Sequence, residues 1–289
     1  MPGLQVLNDR LNMTDRVKLT PWYTSSFGLS NGISFAVIGY LFANFSWKIA
    51  CYTTSISAAL SAIIILFLIT SHNQKKNITE RKFFDLRPAF KNKEALGYIF
   101  SYGTHTYELF AYRAWMFTFL LWASLRTPNT ISSELISLII GIFMFVGMVS
   151  SLMGAKFCLD YGRKKVLMII GFATFVFSVI CAISISLPLW LIIILVGIYH
   201  AFIMLDSGAL TAGTVSVSDD NERGAILAFH SIIGFAGGAI AGPIIGFILD
   251  INGGTNNTSA WIFAFISMGI GSLFVFLIQY RSLVTRIKN

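Results

Sequence analysis

Charge is what this sequence has least of. Of its 289 residues only 12% are Asp, Glu, Lys or Arg, against about 25% in soluble domains. A solvated globular enzyme or binding domain is excluded on that ground. Cysteine is equally sparse. The three that occur, Cys51, Cys158 and Cys181, fall in or beside apolar runs without metal-ligand spacing, so neither a disulfide framework nor a zinc site is supported. The four histidines are scattered. There is no Walker loop, no paired catalytic carboxylates and no nucleophile motif, which leaves ATP-driven chemistry and soluble enzyme chemistry without residues to carry them. The opening twenty residues are polar, with Asp9, Arg10, Asp15, Arg16 and Lys18, and do not read as a secretory signal. No metal and no cofactor is expected.

What the chain has instead is apolar length. Hydrophobic residues make up 55% of it, including 26 Phe, and its mean hydropathy is +0.73. Eight runs are long enough to cross a membrane: 22–45, 48–70, 99–124, 132–153, 166–186, 189–210, 224–250 and 260–280. A helix rises about 1.5 Å per residue and a bilayer core is about 30 Å thick, whereas a barrel strand needs only about 9–11 alternating residues. The expected fold is all-α, a polytopic membrane helix bundle with eight spans and the lipid bilayer as its main partner.

Lys and Arg are distributed unevenly between the loops. Segments 1–21, 71–98, 154–165 and 211–223, with the tail after residue 280, hold eighteen of the 21; the alternate loops hold only Lys48 and Arg126, and Arg113 lies inside a span. The positive-inside rule then places both termini in the cytoplasm. The net charge of +8 is thereby explained as topology, with no call for nucleic acid. The basic segment 71–98 separates two spans from six. It reads as a cytoplasmic linker between a two-helix part (1–70) and a six-helix part (99–289). An internal echo runs across that division. Asp15-Arg16 leads into the first span and Glu222-Arg223 into the seventh, each Arg is followed 23 residues later by Gly39 or Gly246, and Trp47 and Trp261 open the next spans. Parallel repeats of this kind relate the halves of many transporters.

Between two apolar runs lies Gly154 to Lys165, GAKFCLDYGRKK. It reads as a tight charged turn, and its D-x-G-R-K-K resembles the inter-helix signature of the major facilitator superfamily of secondary transporters. Lys156 stands where the family has Gly, Tyr161 stands where it has a basic residue, and the Asp-to-Gly spacing is one residue short. The opening, MPGLQVLNDRLNMTDRVKLTPWYTSSFGLSNGISF, resembles the end of the family's fourth helix, the next loop and its fifth helix; FSWKIACY resembles the start of the sixth. SYGTHTYELFAYRAWMFTFL resembles the seventh helix of a bacterial branch, and DSGALTAG with ERGAILAFHS the tenth and eleventh.

The resemblance implies that the eight spans correspond to helices five to twelve of a twelve-helix fold in a bacterial inner (plasma) membrane. It further implies a truncated gene or a start recorded downstream of the real one. The function it implies is transport of a small solute by alternating access, coupled to a proton or sodium gradient. The competing expectation is a truncated, non-transporting membrane protein or a helical assembly partner.

Within the spans a few polar residues stand out, because charge at membrane depth costs about 2.5–3.5 kcal/mol on insertion scales and marks polar cavities. His105, Glu108 and Tyr112 share one helix face at i, i+3 and i+7, while Arg113 lies about 140° round from Glu108. Glu108 is the candidate for a proton- or cation-linked carboxylate, with His105 as a relay. Arg113 is the candidate for holding an anionic group or a partner carboxylate. His200 and Asp206 are expected on a facing wall. Gly238, Gly242 and Gly246, with Pro243, read as a packing stripe or a hinge. Asp160, Gly162, Arg163 and Lys164 read as a cytoplasmic gate. For each the bland alternative is structural: an interhelical clamp, a satisfied core histidine, tight packing, or simple topology.

Overall fold

The computed structural model describes residues 3, 6, 10–68, 85–128 and 130–288. Its long elements are helices: α1 (Met13–Asn44), α2 (Trp47–Leu68), a short α3 (Arg87–Lys91), α4 (Lys93–Leu125), α5 (Ser133–Tyr161), α6 (Arg163–Ile183), α7 (Leu189–Met204), α8 (Ser207–Ser216), α9 (Arg223–Ile251) and α10 (Thr258–Lys288). No strand occurs among the described residues. Seven stretches are long and apolar enough to cross a membrane, with α7 and α8 counted as one. The third expected span, within α4, is not among the seven. Its 33 residues have ample length, but it carries Glu94, His105, Glu108 and Arg113 and stands at the centre of the bundle. Residues 71–84 of the expected linker, and 69–70 of the second expected span, lie outside the described residues; from Arg87 onward the linker is helical apart from Asn92.

Two expectations about helix ends are corrected. The stretch 154–165 is not a loop. Helix α5 continues through Tyr161, α6 begins at Arg163, and the whole reversal falls on Gly162, whose φ of +91° suits glycine alone. The sixth expected span is not one helix either, since α7 stops at Met204 and α8 starts at Ser207. No proline causes this break. The Leu205 carbonyl presses against Gly154 of α5, so closely that a β-carbon there would come within 1.8 Å of it. The Gly208 amide, freed from the helical ladder, is taken by Ser151 Oγ at 3.2 Å. Elsewhere the ends are set by caps. Asn12 accepts from the Asp15 amide at 2.9 Å and starts α1 nine residues before the apolar run expected from 22. Asn92 does the same for α4 through Ala95, again at 2.9 Å.

Packing is organised around α4. Tyr112, Met116, Phe119 and Leu120 are fully buried on it. Phe119 meets Trp261 and Phe265 of α10 edge-on, with ring centroids 5.1 and 4.8 Å apart, in the preferred T-shaped arrangement. On its other side α4 meets α9 backbone to backbone: a β-carbon on Gly237 would stand 2.2 Å from the Gly103 carbonyl. The Gly238, Gly242 and Gly246 stripe lies alongside and faces Phe110, Ala114 and Trp115. Helix α9 runs unbroken through Pro243, and Trp115 Nε1 donates to the neighbouring Gly242 carbonyl at 2.9 Å. Helix α1 lies against α5 and α8. Helix α2 stands apart, with Ala50 its one buried residue among those described.

Candidate functional site

One face of α4 points at α7 and the break that follows it. His105 Nδ1 lies 2.7 Å from Asp206 Oδ1, both side chains almost fully buried. One turn on, Glu108 Oε1 accepts from the Tyr199 hydroxyl at 2.6 Å, and its second oxygen accepts from Ser272 of α10. A further turn on, the Tyr112 hydroxyl donates to the Val196 carbonyl at 3.0 Å. The three residues expected to share a face therefore do, and each is tied to α7 or its end. Glu108 is buried to 1% exposure with both carboxylate oxygens engaged. A carboxyl group so far from water costs more charged than neutral, and hydroxyl donors offset part of that cost.

His200 joins this cluster by stacking on Tyr112 at 4.9 Å, 25° between planes. Neither of its ring nitrogens has a hydrogen-bond partner among the described residues. Asp206 sits in the two-residue break between α7 and α8. Broken helices put unpaired backbone and side chains at membrane depth where ions and solutes bind. His230 belongs elsewhere. It stacks on Tyr102 at 4.0 Å and meets Thr211 and Thr214 at 3.4 and 3.2 Å, a satisfied core histidine.

Arg113 is on a different face of α4, as the helical wheel requires. Its guanidinium lies 5.0 Å from the Phe27 ring of α1 and 5.8 Å from the Phe110 ring. All three of its side-chain nitrogens are shielded from solvent and lack a hydrogen-bond partner among the described residues. Beside it is a cavity of about 320 Å³ between α1, α4, α9 and the α7–α8 junction, lined among others by Ser26, Phe27, Ser30, His105, Phe110 and Ser231. His105 therefore touches both the cavity and Asp206, and its Nε2 has no partner among the described residues. A larger cleft of about 660 Å³ between α1 and the start of α5 has Glu134 as its only ionisable lining residue among those described, whereas the smaller one lies against His105, next to Asp206 and Arg113.

The charged turn lies at one end of the bundle. Arg163 Nη1 donates to Ser216 Oγ at 2.6 Å, and Lys164 Nζ lies 2.7 Å from Glu94 Oε1. These contacts tie the start of α6 to the ends of α8 and α4. Asp160 is exposed and joins neither of them. At the same end Asp220, between α8 and α9, meets both Arg16 (3.1 Å) and Arg223. The two arginines of the sequence echo thus converge on one carboxylate. The hydrogen bond from Arg223, then its charge, hold the Asp220 carboxyl below the ordinary carboxylate range, with a smaller contribution from Arg16.

Several participants were not found by sequence reasoning. Tyr199 adjoins His200 and was legible by proximity. Gln279 donates to Ser101 at 2.9 Å, and a glutamine inside an apolar run is itself a signal. Ser272 and Phe27 carry no signal of their own, since lone serines and phenylalanines abound in membrane helices.

The bundle thus combines a broken helix, buried ionisable side chains and a cavity of about 320 Å³ beside them. Residues 106–286 match the family model described as Major Facilitator Superfamily, and the chain belongs to that superfamily. It is an integral, multi-pass membrane protein whose family comprises transporters rather than enzymes. No curated protein matches it.

Proposed function

We propose that this chain moves a small solute by alternating access, driven by a proton or sodium gradient. The observation that carries the reading is His105. It lines the cavity and contacts Asp206 in the broken span, one helical turn from the buried Glu108. A proton or cation arriving at this cluster changes the charge beside the cavity, and that is the physical requirement for coupling. In this scheme the cavity and Arg113 meet the solute. Glu108, with Tyr199 and Ser272, holds the coupling charge, and His105–Asp206 links the two; Tyr112 and His200 form the wall behind. Movement of α1 against α5 and α8 opens or closes the cavity, with Asp160, Gly162, Arg163 and Lys164 setting the closed arrangement on the basic face. The charge asymmetry of the loops supports a cytoplasmic position for that face and for both termini.

The test uses protein reconstituted in vesicles that enclose a pH-sensitive dye. Small acids, amines and sugars are offered outside, and isotope exchange is measured separately from gradient-driven uptake. Glu108→Gln is expected to abolish gradient-driven uptake and its proton movement while exchange continues. Gradient-driven uptake equal to wild type would return Glu108 to the role of an interhelical clamp. A second reading, a non-transporting assembly partner, draws on α2, whose apolar surface is exposed on nearly every side; absence of exchange with every solute would favour it.

A further inference from the structure

We infer that the solute is a small organic anion with a flat apolar body, its carboxylate held by Arg113. This inference rests on the transport reading and narrows it. Arg113 carries a fixed positive charge, its nitrogens are shielded from water, and no hydrogen-bond partner meets them among the described residues. A guanidinium in that position lacks the interactions that normally offset desolvation. Two aromatic rings, Phe27 and Phe110, cover it, with Tyr102 and His200 also near enough to feel its charge, and Phe27, Phe110 and Tyr102 belong to the wall of the 320 Å³ cavity.

The rest of that wall excludes other classes. None of its described lining residues is acidic, so a cationic solute finds no counter-charge among them. The nearby Asp206 carboxylate lies 2.7 Å from His105 Nδ1 and is not among the described lining residues of the cavity. Hydroxyls are supplied by Ser26, Ser30 and Ser231, and aromatic faces by Phe27, Phe110 and Phe235. His105 Nε2, on a side chain 2% exposed and with no partner among the described residues, gives a second polar contact. Sites of this kind hold an apolar body between rings and fix its polar end with a few placed groups. A planar carboxylate suits the two-pronged geometry of guanidinium. Of the two covering rings only Phe27 is carried by another helix, so a small shift of α1 uncovers the charge.

The test is binding of radiolabelled benzoate to the purified chain in lipid nanodiscs, with unlabelled benzoate, benzyl alcohol and benzylamine as competitors of matched shape. The expected result is saturable binding displaced by benzoate, at least about tenfold less well by the alcohol, and not by the amine. Arg113→Gln is expected to weaken benzoate binding by about tenfold or more, the range of a hydrogen bond to a charged group. Arg113→Lys is expected to fall between, since it keeps the charge and loses the fork. If Arg113→Gln does not fold, the wild-type competition series and Arg113→Lys still decide the matter. Equal displacement by alcohol or amine overturns the anion class and leaves the cavity, and the transport reading, standing. No saturable benzoate binding to the wild-type chain, or unchanged binding in Arg113→Gln, also overturns the inference.

Discussion

Gly154→Ala tests whether the break at Leu205–Asp206 is held in place by α5. The added β-carbon would stand 1.8 Å from the Leu205 carbonyl oxygen, 2.6 Å from its carbonyl carbon and 2.9 Å from its Cα. Ordinary contact begins near 3.4 Å, so the helices must part by more than an ångström. All three atoms are backbone, and no rotamer change relieves the clash. Overpacking of this sort costs about 1–3 kcal/mol. Alanine returns roughly 0.5–1 kcal/mol through its better helix propensity. The net loss is about 1 kcal/mol, or a fall of about 2–4 °C in Tm for a chain of this size. Because Asp206 follows Leu205, its 2.7 Å contact with His105 is displaced as well. The assay is thermal unfolding in a fixed detergent. The control is Gly97→Ala, where no described residue lies within 4 Å of the added carbon, so its Tm is expected to hold or rise. A Gly154→Ala protein that melts no lower than this control refutes the reasoning.

Other outcomes follow from contacts described above. Glu108→Gln keeps groups for both Tyr199 and Ser272 and is expected to melt close to wild type, whereas Glu108→Ala leaves two buried hydroxyls unmatched and loses about 1–3 kcal/mol for each, read by the same unfolding assay. Trp115→Phe removes the donor to the Gly242 carbonyl and is expected to cost about 1 kcal/mol, seen as a lowered Tm. The Asp220 carboxyl is depressed in the folded chain, so its contribution is present above about pH 4 and is lost as pH falls through the lower folded value; Asp220→Asn should remove that acid-limb difference in a pH series of melting curves. Single cysteines at Lys91 and Asn256, in a background without Cys51, are expected to label from opposite membrane faces; labelling from the same face would overturn the orientation argued from loop charge.

Run length and charge deficit sufficed to call a helical membrane bundle, because both are summed over many residues and no single contact can reverse them. The shared face of His105, Glu108 and Tyr112 was likewise legible, being a matter of helical period alone. Helix ends were harder. The apolar run 132–153 stops because charged residues follow it, yet α5 continues, since Lys156 and Asp160 reach water from a helix as readily as from a loop. The break after Met204 was invisible: residues 201–210 contain no proline, and its cause lies fifty residues away at Ser151 and Gly154. The pairing of His105 with Asp206, and of Glu108 with Tyr199, depends on which helices adjoin, and no local pattern encodes that. The convergence of Arg16 and Arg223 was foreshadowed by their matching contexts, but the carboxylate that joins them belongs to neither.

That carboxylate makes an unequal joint. Arg223 has a second hold on the chain through the Ser218 carbonyl at 2.8 Å, and its side chain is 5% exposed. Arg16 reaches across from α1 to Asp220, and its own second hydrogen bond, to the Leu11 carbonyl, keeps it on the α1 side. If α1 swings, Arg16 is the arm that lets go, while Arg223 keeps Asp220 and the segment before α9 stays folded. Two cations competing for one anion also means that release of either strengthens the hold of the other. Loss of Arg16 from the pair therefore leaves Arg223, Asp220 and the Ser218 carbonyl still joined at that end of the bundle.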